Sequence, residues 1–366
     1  MQPPRLTTLA QSLPDSVPFV GPETQERARG AVFQARLGAN ENLFGPSPRA
    51  IEAMKLAVAD VWMYGDPENH DLRHALAAHH GVSANNIIVG EGIDALLGNL
   101  VRLMVAPGDR VVTSEGAYPT FNFHVAAVGG SVEKVPYRDD YEDPAALVAR
   151  AKACDARLIY LANPDNPMGS WHGAGVITAM IDALPENCLL CLDEAYIEMA
   201  PAGTAPAFVT DDPRVLRMRT FSKAYGMAGA RIGYAIGAQS MVKAFDKLRN
   251  HFGVGRIAQA GALAALADQV WLAEVLERIT ASRAKIGEIG RANGLIPLNS
   301  ATNFVTLDCG GDGAKARALV AALAAENVFV RMPFAAPQNR CIRISAGGDA
   351  EMAYLADALP RALRRS

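Results

Sequence analysis

The chain has 366 residues, 50% of them hydrophobic and 20% charged, with a formal net charge of −3. That composition excludes a disordered chain and a basic surface of the kind that attracts nucleic acid or an anionic membrane. The length predicts a large core, arranged as one large domain with a smaller one beside it.

Residues 1–36 are polar and contain prolines, and read as an N-terminal arm. The start, Met1-Gln2-Pro3-Pro4-Arg5-Leu6, lacks an apolar run followed by a cleavage site, and no later run has membrane-spanning length. We therefore expect a cytoplasmic protein. Its five cysteines, at 154, 188, 191, 309 and 341, suit reduced thiols.

From residue 37 onward, short apolar runs alternate with helical patterns. Strands are predicted at 87–89, 110–114, 131–136, 158–162, 189–193, 215–219 and 232–236, with helices such as 94–105, 144–152 and 176–184 between them. Several runs are continuously apolar, as strands covered on both faces are. The alternation implies a mostly parallel sheet of seven strands between helices.

Past Ala238 the pattern turns to Ala- and Leu-rich helix over 240–292. Strands at 303–308, 328–331 and 341–345 follow, with helices at 313–326 and 349–363. This reads as a smaller α+β unit. The expected division is an arm over 1–36 that packs with the small domain, a large domain over 37–250 and a small domain over 251–366.

The chemistry concentrates at strand ends, where open α/β sheets hold ligands. The run Thr220-Phe221-Ser222-Lys223-Ala224-Tyr225-Gly226-Met227-Ala228-Gly229-Ala230-Arg231 sets one lysine among small and apolar residues. Poor solvation disfavours its ammonium form, and a neutral amine can form an imine with an aldehyde. Arg231 offers a donor fork for an anion such as phosphate. An imine partner beside a phosphate anchor suits pyridoxal phosphate.

Asp193-Glu194-Ala195-Tyr196 follows an apolar strand. A carboxylate there can pair with a protonated pyridine nitrogen, and Tyr196 can donate to the ring's phenolic oxygen. The turn Asn163-Pro164-Asp165-Asn166-Pro167-Met168-Gly169 offers an amide to the same oxygen. In Gly90-Glu91-Gly92-Ile93-Asp94 a strand passes through glycines into a helix, whose free N–H groups suit phosphate. Tyr118 can stack on a planar ring. Arg343, inside the apolar strand 341–345, needs an anion, and a carboxylate held by two nitrogens is the natural one.

Two features resemble metal or redox motifs. Cys188 and Cys191 are spaced as Cys-x-x-Cys, but residues three apart on a strand face opposite ways. His79 and His80 are helix neighbours and do not face one ligand. No metal site is expected.

In order along the chain these motifs resemble the fold-type I pyridoxal-phosphate aminotransferases, and within them the histidinol-phosphate aminotransferase group. Leu37-Gly38-Ala39-Asn40-Glu41-Asn42, Tyr64-Gly65-Asp66-Pro67 and Arg343-Ile344-Ser345 join the runs above, so the likeness covers nearly the whole chain. The resemblance implies pyridoxal 5'-phosphate as cofactor and Lys223 as its imine partner and proton carrier. It implies Asp193 on the pyridine nitrogen, Tyr196 and Asn166 on the ring oxygen, and Tyr118 against the ring. Ser222, Arg231 and the backbone of Gly92, Ile93 and Asp94 would hold the cofactor phosphate. Tyr64 would reach that phosphate from the second subunit of a homodimer. Arg343 would hold the substrate's carboxylate or equivalent end, Arg331 its phosphate, and Asn40 would line the substrate site.

The chain departs from the family pattern at Met168, where threonine is usual, and at Ile93, where a small or hydroxyl residue is usual. Phe19-Val20-Gly21 stands where a substrate-touching tyrosine often lies. The leading expectation is transamination between histidinol phosphate and 2-oxoglutarate. The alternatives are an aromatic amino acid aminotransferase, a lyase like threonine-phosphate decarboxylase, and a non-catalytic relative.

Overall fold

Seven strands form one sheet in the order Ile87–Gly90, Gly233–Gly237, Val215–Thr220, Leu189–Asp193, Leu158–Ala162, Arg110–Ser114, Ser131–Val135. The computed structural model describes residues 4–15 and 20–366; Phe19 and the first three residues lie outside it. All neighbouring pairs are parallel except those of Gly233–Gly237, which is antiparallel to both its neighbours. The twelve residues between Thr220 and Gly233 turn the chain back beside its own strand without a crossover α-helix, so that pair is antiparallel.

The central strands are buried along their whole length, as the continuous apolar runs predict. Leu189 and Cys191 pack into one hydrophobic layer, Cys188, Leu190 and Leu192 into the other. Each such leucine, fully buried, contributes about 1.5–3 kcal/mol. The two cysteines of the Cys-x-x-Cys spacing thus sit on opposite faces, and all five thiols are free and buried.

A second, three-stranded antiparallel sheet is built from Ile296–Pro297, Phe304–Asp308 and Cys341–Ser345. The helices Gly313–Ala325 and Asp349–Leu363 supply Leu319, Leu323, Leu355 and Leu359 to the core over it. Ala35–Arg36 pairs in parallel with Val328–Phe329, which ties the segment entering the site to the C-terminal part.

Three sequence expectations need correction. The strand expected at 232–236 begins at Gly233, because the Ile232 carbonyl is taken by the Phe221 N–H in the turn below. The helical stretch 240–292 is three helices, Gln239–Phe245, Arg256–Ala267 and Gln269–Ala292. Gly253 and Gly255 lie in the first break. At the second, Asp268 turns its carboxylate to the Trp271 N–H (3.3 Å) and caps a new helix. The strand expected at 328–331 stops at Phe329; Arg331 then meets Arg343 in an isolated antiparallel bridge.

Candidate active site

A cavity of about 650 Å³ opens at the C-terminal ends of the parallel strands. Its lining includes Asn40, Ile93, Asp94, Tyr118, Asn166, Asp193, Tyr196, Ser222, Lys223, Arg231, Arg331 and Arg343. Gly92 stands at its edge through Arg231. Of the expected residues only Tyr64 is elsewhere. It is 78% exposed and packs against Phe252, with ring centroids 4.9 Å apart.

Lys223 follows the strand Val215–Thr220, in a turn closed by the Met227 N–H donating to the Phe221 carbonyl (2.9 Å). Its Nζ donates to the Asn40 carbonyl at 3.0 Å. Burial lowers its pKa to about 8, helped by the positive charges of Arg343 and Arg231. A substantial fraction of this amine is therefore neutral near pH 8, as a nucleophile requires.

Asp193 ends the strand Leu189–Asp193 at the cavity floor. Tyr160 Oη donates to its Oδ2 (2.7 Å) and the Ala195 N–H to its Oδ1 (2.9 Å). Burial raises its pKa to about 6 against those donors, so a cationic partner is what this carboxylate lacks. Glu194, the next residue, is bound instead by Arg217 (2.6 and 3.0 Å) and Arg219 (2.9 Å), away from the cavity lining.

Tyr196 is 3% exposed and accepts from Asn40 Nδ2 at 3.1 Å. With its oxygen serving as acceptor there, its own hydroxyl hydrogen is left to point into the cavity. Asn40 takes a left-handed backbone, φ 55°. Its N–H donates to Ser345 Oγ (3.1 Å), and its carbonyl also receives Asn303 Nδ2 (3.0 Å).

The phosphate-sized end is framed by two chain turns. The helix Gly92–Met104 starts there, with no side-chain cap on its first N–H groups. Gly92 has φ +83°, and a Cβ on it would stand 2.5 Å from Arg231 Nη2. The backbone there favours glycine, and a side chain would push the Arg231 guanidinium aside. Arg231 itself is left-handed (φ 52°) and reaches Ser222 Oγ at 3.4 Å. Ser222 is fixed by Thr220, whose Oγ1 donates to its Oγ (2.9 Å) and accepts from its N–H (3.0 Å). Asp94 does not cap the helix; its Oδ1 lies 3.0 Å from His124 Nε2. Ile93 is buried at 7% exposure in the core.

At the opposite end, Arg343 contacts Asn166 Oδ1 through Nη1 and lies over the Phe304 ring, 5.1 Å from its centroid. Its Nε is buried without a partner. Burial lowers its pKa to about 10, a sign of a cation short of anions. Arg331 donates from Nη2 to the Val20 carbonyl (2.7 Å) and lies over Phe329. Met168 is 1% exposed, with its N–H on Asp165 Oδ2 (2.8 Å), so the departure from threonine puts an apolar side chain in the core.

These groups fit a planar, phosphorylated aldehyde with a basic ring nitrogen. A buried amine, a buried carboxylate lacking a cation and a glycine-lined helix start beside arginine each meet one part of it. No cluster of three metal-ligating side chains occurs among the described residues. His80 Nε2 lies 2.8 Å from Tyr234 Oη, and burial lowers its pKa to about 3.

The sequence reading missed three supports: Tyr160 under Asp193, Asn303 on Asn40, and Glu142 beside the Asn163–Gly169 turn. A tyrosine in the otherwise apolar strand Leu158–Ala162 was the available signal for the first. The other two act on backbone groups and leave no local pattern.

The model for the family described as aminotransferase class I and II matches residues 34–359. The chain belongs to this family. Among similar proteins, the aminotransferase is 34% identical to "Histidinol-phosphate aminotransferase 1" of Mesorhizobium japonicum over 90% of each chain. It is 36% identical to "Histidinol-phosphate aminotransferase" of a Jannaschia species, over 85% of this chain and 86% of the other. A solved histidinol-phosphate aminotransferase from Sinorhizobium meliloti, in complex with pyridoxal-5'-phosphate, superposes with a TM-score of 0.96. That protein is 55% identical, with 98% of both chains covered.

Proposed function

We propose that this aminotransferase uses pyridoxal 5'-phosphate to transfer an amino group between histidinol phosphate and 2-oxoglutarate. The observation that carries the reading is the cavity itself. It gathers Lys223, Asp193, Ser222 and Arg231 in one lining with two further arginines, Arg331 and Arg343. The relatives named above support the substrate pair.

When bound, the cofactor supplies an electron-withdrawing ring that stabilises negative charge on the substrate carbon. Lys223 Nζ yields its place to the incoming amine and then carries a proton between the two reacting carbons. Its depressed pKa lets it act as base near neutral pH. Asp193, held by Tyr160 and Ala195, keeps the ring nitrogen protonated. Tyr196 and Asn166 donate toward the ring oxygen, and Tyr118 packs against the ring. Ser222, Arg231 and the N–H groups at Gly92, Ile93 and Asp94 hold the phosphate.

Arg343 and Arg331 give the far end two positive charges, one for a carboxylate or hydroxymethyl end and one for a phosphate. Asn40 lines the same space. Tyr64 serves the partner's cofactor phosphate in a homodimer. The exposed run Leu56, Val58, Val61, Trp62 and Tyr64 gives that surface its apolar character. The parts over 37–250 and 251–366 are read as the large cofactor-binding domain and the small C-terminal domain, with the 1–36 arm packed with the latter. No helix among the described residues is long and apolar enough to cross a membrane. The five free, buried thiols suit a reducing cytoplasm.

A half-reaction screen tests the reading. Cofactor-loaded protein mixed with histidinol phosphate converts to the amine form of the cofactor, seen as loss of the imine absorption band. Conversion by phenylalanine or tyrosine alone would overturn the substrate assignment. Carbon dioxide release without 2-oxo acid consumption would overturn transamination.

A further inference from the structure

Behind the turn that carries Asn166 lie two carboxyl groups, Glu142 and Asp165, each 2% exposed. They are within hydrogen-bonding reach of each other. Neither lines the cavity. Asp165 already receives two donors, the Met168 N–H on Oδ2 (2.8 Å) and Tyr137 Oη on Oδ1 (2.9 Å). Glu142 Oε1 receives the Ala162 N–H (2.9 Å), one residue before the turn begins. Glu142 Oε2 is buried without a partner. The Ser114 hydroxyl faces the same carboxyl.

Two buried carboxylates side by side repel, and neither has a hydrogen to give the other. A single proton resolves both problems. It belongs on Glu142, because each carboxyl has two donors beside it but only Asp165 has the attraction of Arg343, the cation facing the pair. Asp193 is a further acidic group near Glu142 and favours its neutral form, while the Tyr137 hydroxyl, held neutral by burial, donates to Asp165. Burial, then the neighbouring Asp165, pushes the Glu142 carboxyl well above the ordinary glutamate range.

We propose that Glu142 is a neutral carboxylic acid whose hydroxyl donates to the Asp165 carboxylate, and that the pair is a positioning device for Asn166 and Arg343. The acid's carbonyl oxygen holds the strand end at Ala162, and its proton ties that end to Asp165. Asp165 in turn holds the turn at Met168, so Asn166 is presented between two fixed points. The pair also leaves one negative charge near Arg343, whose Nη1 rests on Asn166 Oδ1.

The decisive measurement is infrared spectroscopy of the intact protein at neutral pH. Glu142→Gln, whose amide is neutral and of the same shape, is expected to lose one carboxylic-acid carbonyl component of the wild-type spectrum, while the components of the buried Glu198 and Asp193 remain. This readout does not depend on the cofactor, so it separates the pair's proton from the proposed function on which the positioning role rests. A second readout is the pH titration of the cofactor's absorption band. Glu142→Gln leaves its midpoint in place. Asp165→Asn removes a negative charge near the site and moves the midpoint to lower pH. A wild-type spectrum without a band sensitive to Glu142→Gln would overturn the proposal. So would a Glu142→Gln shift as large as that of Asp165→Asn. If Asp165→Asn fails to fold, the wild-type and Glu142→Gln spectra still decide.

Discussion

Lys223 Nζ and the backbone oxygen of Asn40 are 3.0 Å apart, although they are 183 positions apart in the chain. The amine meets a carbonyl there and no carboxylate, and burial with the charges of Arg343 and Arg231 outweighs the pull of Glu41 and Asp193 on its charged form. Uptake of pyridoxal phosphate by cofactor-free protein should therefore accelerate as pH rises through about 8 and level off above it. A lysine at its ordinary value of 10.5 would still be accelerating at pH 9.5. Stopped-flow absorbance across that range reads the midpoint. Lys223→Ala should lose the imine band and lower the half-reaction rate by at least ~10²–10⁴-fold, the scale of a positioned acid–base group.

Asp193 gives a pH prediction for the cofactor-free protein. Burial lifts its carboxyl from 3.8 to about 6, so the folded state holds the proton more tightly than the unfolded chain. Its contribution to stability is complete below pH 3.8 and is lost as pH rises through 6. Asp193→Asn is neutral throughout. The wild type should lose about 2–3 kcal/mol relative to this variant between pH 4 and pH 7. Denaturant unfolding of both proteins at the two pH values checks it. Equal changes would show that Asp193 is not desolvated.

Arg343→Lys keeps a positive charge and loses the fork. One or two hydrogen bonds to a charged group are worth ~1.5–3 kcal/mol each. KM for the amino donor should rise at least ~10-fold, with the cofactor's absorption spectrum unchanged. An unchanged KM would remove Arg343 from the substrate site.

Tyr64 is tested by mixing subunits. Tyr64→Phe should weaken cofactor binding by about fivefold to tenfold, the worth of one hydrogen bond. Mixed dimers of Tyr64→Phe and Lys223→Ala place both defects in one site and leave the other intact. At cofactor concentrations that leave the Tyr64→Phe homodimer mostly empty, they should be more active than either variant alone. No recovery after subunit exchange would mean that Tyr64 serves its own chain or none.

The sequence exposed those parts of the site that are side chains at strand ends. Lys223, Asp193, Arg231 and Arg343 are polar groups after or within apolar runs, and burial makes such placements costly without a purpose. The central strands were legible for the same reason: Leu158–Ala162 and Leu189–Asp193 were delimited from their apolar content alone. Of the helix breaks inside 240–292, the first carried a signal in Gly253 and Gly255 that the reading passed over, whereas the second was not legible, because alanine-rich helix runs up to it and Asp268 acts only as a cap. The role of Glu142 was hidden too, since its partner Ala162 offers only a backbone N–H.

Gly38 and Asn40 accept from two of the cavity's cations through their main-chain oxygens, Arg343 Nη2 at 3.5 Å and Lys223 Nζ at 3.0 Å. Those contacts are written in the path of the chain and not in its letters. Exchanging the side chain at 39 can leave them standing, whereas inserting or deleting one residue would dislodge both at once. Here length is under tighter constraint than identity, and a library that varies residues without varying spacing would never sample the failure.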